Sequence, residues 1–135
     1  MRQALTHVWE RSGRGRIGFE AMGRAYVQFA VAHPSHYRVM FGGFIDSGAK
    51  NDQFVAEAKA AFQVLVDALV EQQTAGAIRR NDPVQMTRFT WAVVHGTPCW
   101  SLKDRCPRRL KQKHSSSIFV ERIYESIRQE TLGSE

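Results

Sequence analysis

The stretch from Pro83 to Leu102 carries apolar side chains on two opposite sides of a helix, and no other feature of this sequence restricts its fold as much. At about 100° per residue, Met86, Phe89, Val93 and Trp100 gather on one side, while Trp91, Val94, His95 and Leu102 gather on the other. A helix that is polar on one side can rest on a core, but one that is apolar on both needs packing partners on both. Its start is marked by Asn81-Asp82-Pro83. Asp82 serves as N-cap, and Pro83 takes the first helical position, where its missing N–H would have had no helical partner anyway.

The remaining segments supply such partners. Ile17 to His33 places Phe19, Met22, Tyr26, Phe29, Ala30 and His33 along one helical stripe, with Glu20, Arg24 and Gln28 outside it. Pro34 interrupts and suits the first position of a short helix reaching Phe41, which Gly42-Gly43 ends. After a polar loop from Ser47 to Lys50, Asn51 or Asp52 caps the longest helix. It carries Phe54, Ala58, Ala61, Phe62, Leu65 and Leu69 on one face and stops at Gly76. Ser115 to Ser117 offer caps for a last helix with Phe119, Val120, Ile123, Tyr124 and Ile127 on one side and Glu121, Arg122, Glu125 and Arg128 toward water. Residues 1 to 12 form an opening helix whose apolar edge, Leu5, Val8 and Trp9, is thin, and a mobile run from Ser12 to Arg16 follows it. No run alternates with period two and no segment repeats. The 135 residues thus read as a single domain, residues 1–135, all-α, a helical bundle of about six helices.

Charge and motifs exclude several function classes. The formal net charge is +6, but the excess sits in two short runs, Arg11 to Arg16 and Lys103 to Lys113, which read as solvated loops. The second run has neither interleaved aromatic residues nor a recognition-helix pattern, so at most it adds non-specific attraction to DNA. Gly13-Arg14-Gly15-Arg16-Ile17-Gly18 matches a dinucleotide-binding pattern only in letters: a helix precedes it, and Arg38 stands where an acidic ribose ligand belongs. His95 with Cys99, and His33 with His36, give pairs of potential metal ligands without completing a set of four, so no metal is expected. No nucleophile motif or paired carboxylate appears, and His95 beside Cys99 is the only place to look for catalysis; no enzyme and no cofactor is expected. No segment reaches the length of a membrane span and Met1-Arg2-Gln3 opens no signal peptide, while Cys99 and Cys106 form no disulfide framework. A cytoplasmic location is expected.

Three ordered stretches resemble a known family. Gly23-Arg24-Ala25-Tyr26-Val27-Gln28-Phe29-Ala30 runs into His33-Pro34-Ser35-His36-Tyr37-Arg38-Val39-Met40-Phe41; Gly76 precedes Asn81-Asp82-Pro83; and Trp91-Ala92-Val93-Val94-His95-Gly96 follows. Together, over about residues 17 to 102, they resemble the C-terminal effector-binding and dimerisation domain of TetR-type transcriptional regulators, in the subgroup named for its Trp-His-Gly signature. The resemblance implies a small apolar or aromatic effector inside the helices and a homodimer formed through the last two helices. It places Tyr26, Phe29, Met40, Phe62, Val66, Trp91 and His95 around the effector, and Phe89, Val93, Trp100, Phe119, Ile123 and Ile127 at the dimer interface.

The sequence departs from that family twice. Nothing in residues 1 to 50 can serve as a helix-turn-helix, so DNA is expected as a partner only through an N-terminal reader missing from this chain. Pro98 falls inside the Trp-His-Gly helix, where it removes the hydrogen bond to the Val94 carbonyl; a kink or early end is expected there. The other reading is a helical interaction module that buries a protein partner and holds no ligand. A pocket of a few hundred Å³ near Trp91 and His95 separates the first reading from a filled core.

Overall fold

The computed structural model describes residues 1–34, 52–102 and 115–129, with side chains over 1–34, 56–96 and 117–129. Five helices follow one another: α1 (Arg2–Arg11), α2 (Gly15–Ala32), α3 (Asp52–Thr74), α4 (Pro83–Leu102) and α5 (Ser115–Ile127). The architecture is all-α, with five helices among the described residues rather than six; of the short helix expected from Pro34 to Phe41, all but Pro34 lies outside them.

Local chemistry sets the helix ends. Thr74 closes α3 and Gly76 follows at φ +73°, with the Gly76 N–H bonded to the Gln73 carbonyl and the Ala77 N–H to the Gln72 carbonyl, each at 3.0 Å. This pair of bonds satisfies carbonyls that the helix leaves open, and the left-handed position suits glycine. Asp82 Oδ1 then accepts from the N–H groups of Val84 at 2.8 Å and Gln85 at 3.2 Å, capping α4. Between the two, Gln73 Nε2 donates to the carbonyls of Arg79 and Asn81, which holds the loop against the end of α3.

The early end expected at Pro98 does not occur: α4 continues to Leu102. Proline deletes one helical hydrogen bond, and α4 is held elsewhere by packing against α2, α3 and α5.

A defined turn replaces the mobile run expected at Ser12 to Arg16. Gly13, Arg14 and Gly15 all have positive φ, at +80°, +60° and +57°, and α2 begins at Gly15, two residues before its first apolar position. Gly18 is where the two helices approach, since a Cβ there would lie 2.7 Å from Trp9 Cε3. The glycines of the Gly13 to Gly18 motif therefore do backbone and packing work. The basic run is also compensated: Arg14 pairs with Glu71 at 2.9 Å, and Arg16 with Glu20 at 2.8 Å and Glu125 at 2.9 Å, its guanidinium 5.1 Å from the Tyr124 ring.

The core joins all five helices. Leu5 and Trp9 of α1, Phe19, Met22, Tyr26, Val27 and Ala30 of α2, and Ala61, Ala68 and Leu69 of α3 meet Met86 and Val94 of α4 and Val120, Ile123, Tyr124 and Ile127 of α5. The inward side of α4 also includes Thr87 and Thr90, both buried. Outside the helices, Ile78 is fully buried and forms a lone antiparallel bridge with Arg128; the Arg79 N–H donates to the Ile127 carbonyl at 2.9 Å and the Gln129 N–H to the Ala77 carbonyl at 3.2 Å.

Candidate binding cavity

Where α2 crosses α4, the packing is incomplete. Phe19, Met22, Gly23 and Tyr26 of α2, Leu65 of α3, Thr90, Trp91 and Val94 of α4, Val120 of α5 and Leu5 of α1 surround an apolar cavity of about 40 Å³. That is room for a few water molecules at most and falls well short of the roughly 300 to 1,000 Å³ of a pocket for a drug-sized molecule. Gly23 lets α5 close against α2 on this side of the cavity: a Cβ there would lie 2.8 Å from one Val120 methyl and 2.9 Å from the other.

Aromatic rings form one end of the site. Tyr26 and Trp91 are tilted with ring centroids 5.5 Å apart, and Phe62 meets Trp91 edge-on at 5.8 Å. The Tyr26 hydroxyl lies 2.8 Å from His95 Nδ1. With the ring proton on Nε2, the phenol donates to Nδ1. Burial lowers the His95 pKa from its ordinary 6.5, which favours the neutral ring this arrangement requires. Tyr26 and His95 thus form a hydrogen-bonded pair that spans α2 and α4.

The residues expected around an effector divide into groups. Tyr26 and Trp91 line the cavity, His95 is bonded to Tyr26, and Phe62 packs on Trp91. Val66 is buried but is not part of the wall, which Leu65 supplies instead. Phe29 meets the His33 ring at a tilt, with centroids 4.9 Å apart, and is not part of the wall. Met40 lies outside the described residues.

The residues expected at a dimer interface divide as well. Phe89 is 50% exposed, and Val93 and Phe119 are half-buried. Ile123 and Ile127 are placed in the chain's own core, because the apolar stripe of α5 is spent on α2 and α4. The Trp100 side chain lies outside the described residues.

Of the wall residues, the expected set named only Tyr26 and Trp91; Gly23, Leu65 and Thr90 are among those it missed. For Thr90 a signal existed: Thr87, Thr90 and Val94 recur at intervals of three and four, a helical stripe on which a hydroxyl replaces a methyl.

Among the described residues, no cluster of three or more His, Cys, Asp or Glu could hold a metal ion, and no helix is long and apolar enough to cross a membrane. No curated protein matches the chain. Among solved structures, one described as a protein with unknown function from Rhodococcus sp. RHA1 is similar, with a TM-score of 0.79 and 25% sequence identity over 95% of this chain and 66% of that one. The chain thus spans just under two thirds of that protein's length. Residues 19–117 match the family described as tetracyclin repressor-like, C-terminal domain; that is well over half of the 135 residues, and the protein belongs to that family.

Proposed function

We propose that this chain is the effector-binding and dimerisation domain of a TetR-like transcriptional regulator, taking a small apolar or aromatic molecule between α2 and α4. One observation carries the reading: at the crossing of the two helices an apolar cavity meets the Tyr26–His95 pair, so the site offers a greasy interior with polar groups at one end. No cofactor enters the mechanism.

The small cavity suits a switch. A molecule larger than the existing space binds only an arrangement in which α2 and α4 have moved apart, and it shifts the population toward that arrangement. In a dimer paired through Phe89, Val93, Trp100 and Phe119, that movement alters the spacing of two DNA readers. The readers, helix-turn-helix units, are assigned to sequence outside these 135 residues, and the protein acts in the cytoplasm.

The cavity's size favours a second reading, a helical interaction module that never holds a ligand. Native mass spectrometry of freshly purified protein separates the two. A dimer carrying a small-molecule adduct supports the effector domain. A bare monomer that stays bare after incubation with aromatic compounds overturns it in favour of the module.

A further inference from the structure

Among the described residues, two buried side-chain polar atoms have no hydrogen-bond partner, Gln72 Oε1 and Thr90 Oγ1, and of these two residues only Thr90 belongs to the cavity wall. Its lack of a partner is unusual within this molecule. Thr87 donates to the Pro83 carbonyl at 2.7 Å and Thr74 to the Val70 carbonyl at 2.9 Å, the bond a helical threonine commonly makes to the turn before it. Thr90 is 2% exposed and makes no such bond. A buried hydroxyl left unpaired is disfavoured, so it is a group whose environment improves when something brings it a partner.

Three further properties of the wall narrow what that partner is. Among the described residues, no charged side chain lines the cavity, so an ionised ligand would lose its hydration without a charge there to replace it. The ring edges of Tyr26, Phe62 and Trp91, tilted or edge-on to one another, favour a further flat ring at the same end. The space is small, which limits the ligand to about one ring's displacement of the walls.

We propose that the cavity selects an uncharged single-ring aromatic molecule carrying one hydroxyl, and that the Thr90 hydroxyl recognises it. This rests on the effector-binding reading and adds the chemical class of the effector. In the closed cavity the packed walls cover Thr90 Oγ1; a ring that parts α2 from α4 uncovers it, and the ligand's hydroxyl then pairs with it. Recognition and opening are one event, so an apolar ring of the same size opens the site less effectively.

The test is calorimetric titration of the full chain with p-cresol, toluene and p-toluate, repeated on Thr90→Val and Thr90→Ser. Valine keeps the shape and removes the hydroxyl, and serine keeps the hydroxyl. Wild-type protein is expected to bind p-cresol about tenfold more tightly than toluene, the effect of one neutral hydrogen bond, and to leave p-toluate unbound. Thr90→Val is expected to reduce p-cresol to the toluene level with toluene unchanged, and Thr90→Ser to retain the preference. If Thr90→Val keeps the preference, or wild type binds toluene as tightly as p-cresol or takes up p-toluate, this inference falls while effector binding stands. Loss of both neutral ligands in Thr90→Val also overturns it, because Thr90 then only shapes the cavity. If wild type binds none of the three, this inference falls, and the effector reading stands or falls by the native mass spectrum.

Discussion

Replacing Gly23 with alanine tests the contact that shapes the cavity. In an exposed helix the change would be favourable by about 1 kcal/mol, since alanine loses less backbone freedom than glycine. Here the new Cβ would sit 2.8 and 2.9 Å from the two methyls of Val120. Ordinary contact begins near 3.4 Å, so α2 and α5 must separate by about half an ångström or Val120 must rotate. Rotation offers little relief: both methyls already touch the position, Val120 is 1% exposed, and a β-branched residue in a helix has one strongly preferred rotamer. Overpacking of this kind costs about 1 to 3 kcal/mol, and two clashing methyls place it in the upper half. After subtracting the helix gain, Gly23→Ala is expected to destabilise by about 1 to 2 kcal/mol, lowering the melting temperature by about 3 to 8 °C for a chain of this size. Urea unfolding of Gly23→Ala, Val120→Ala and the double variant supplies the decisive quantity. Deleting the methyls removes the clash, so the two changes should couple favourably by at least about 1 kcal/mol. A stabilised Gly23→Ala, or a double variant whose effect is the plain sum of the singles, would refute the close approach of α2 and α5.

Other substitutions report on the helix ends and on the histidine. Arg14 holds φ 60° and ψ −157°, a region natural only to glycine, so Arg14→Gly should raise stability by about 1 kcal/mol in urea titrations despite the loss of its exposed pair with Glu71. Glu71→Gln, which removes only the pair, is the control and should change little. Asp82→Ala removes the cap of α4 and should cost about 1 kcal/mol by the same measurement. The His95 pKa is lower folded than unfolded, so as pH falls the unfolded chain takes up its proton first. That contribution to stability is intact above the ordinary value of 6.5 and is lost as pH drops below it through the lowered value; unfolding midpoints of wild type and His95→Gln should diverge in that window.

The helix ends were legible because their signals are local. Asp82-Pro83 and Gly76 act through bonds within a few residues, and each does what its neighbours in the chain imply. The α1–α2 turn was not: Gly18 has meaning only against Trp9, nine residues away in the chain, and the apolar pattern of α1 alone shows a thin edge where the fold has two core residues, Leu5 and Trp9. Hydrophobic periodicity also underread α4, whose inner side uses Thr87 and Thr90 in place of aliphatic residues. For the cavity wall, Tyr26 and Trp91 were expected from the family resemblance, whereas Gly23 and Thr90 depend on which helix comes alongside. The stripe of α5 shows the same limit: Ile123 and Ile127 must be covered, but only the packing against α2 and α4 shows that the chain covers them itself.

The bridge between Ile78 and Arg128 joins segments 50 residues apart, and the donors of both its hydrogen bonds, the N–H groups of Arg79 and Gln129, lie outside any helix. Loop amides normally exchange with solvent through small local openings. The amides of Arg79 and Gln129 cannot open in this way unless α5 detaches from the loop after α3, which also exposes fully buried Ile78. Their deuterium uptake should therefore be slow and closely matched, on the same clock as the α5 core. Because a long stretch of chain must be closed before the bridge forms, it belongs among the last contacts to appear during folding.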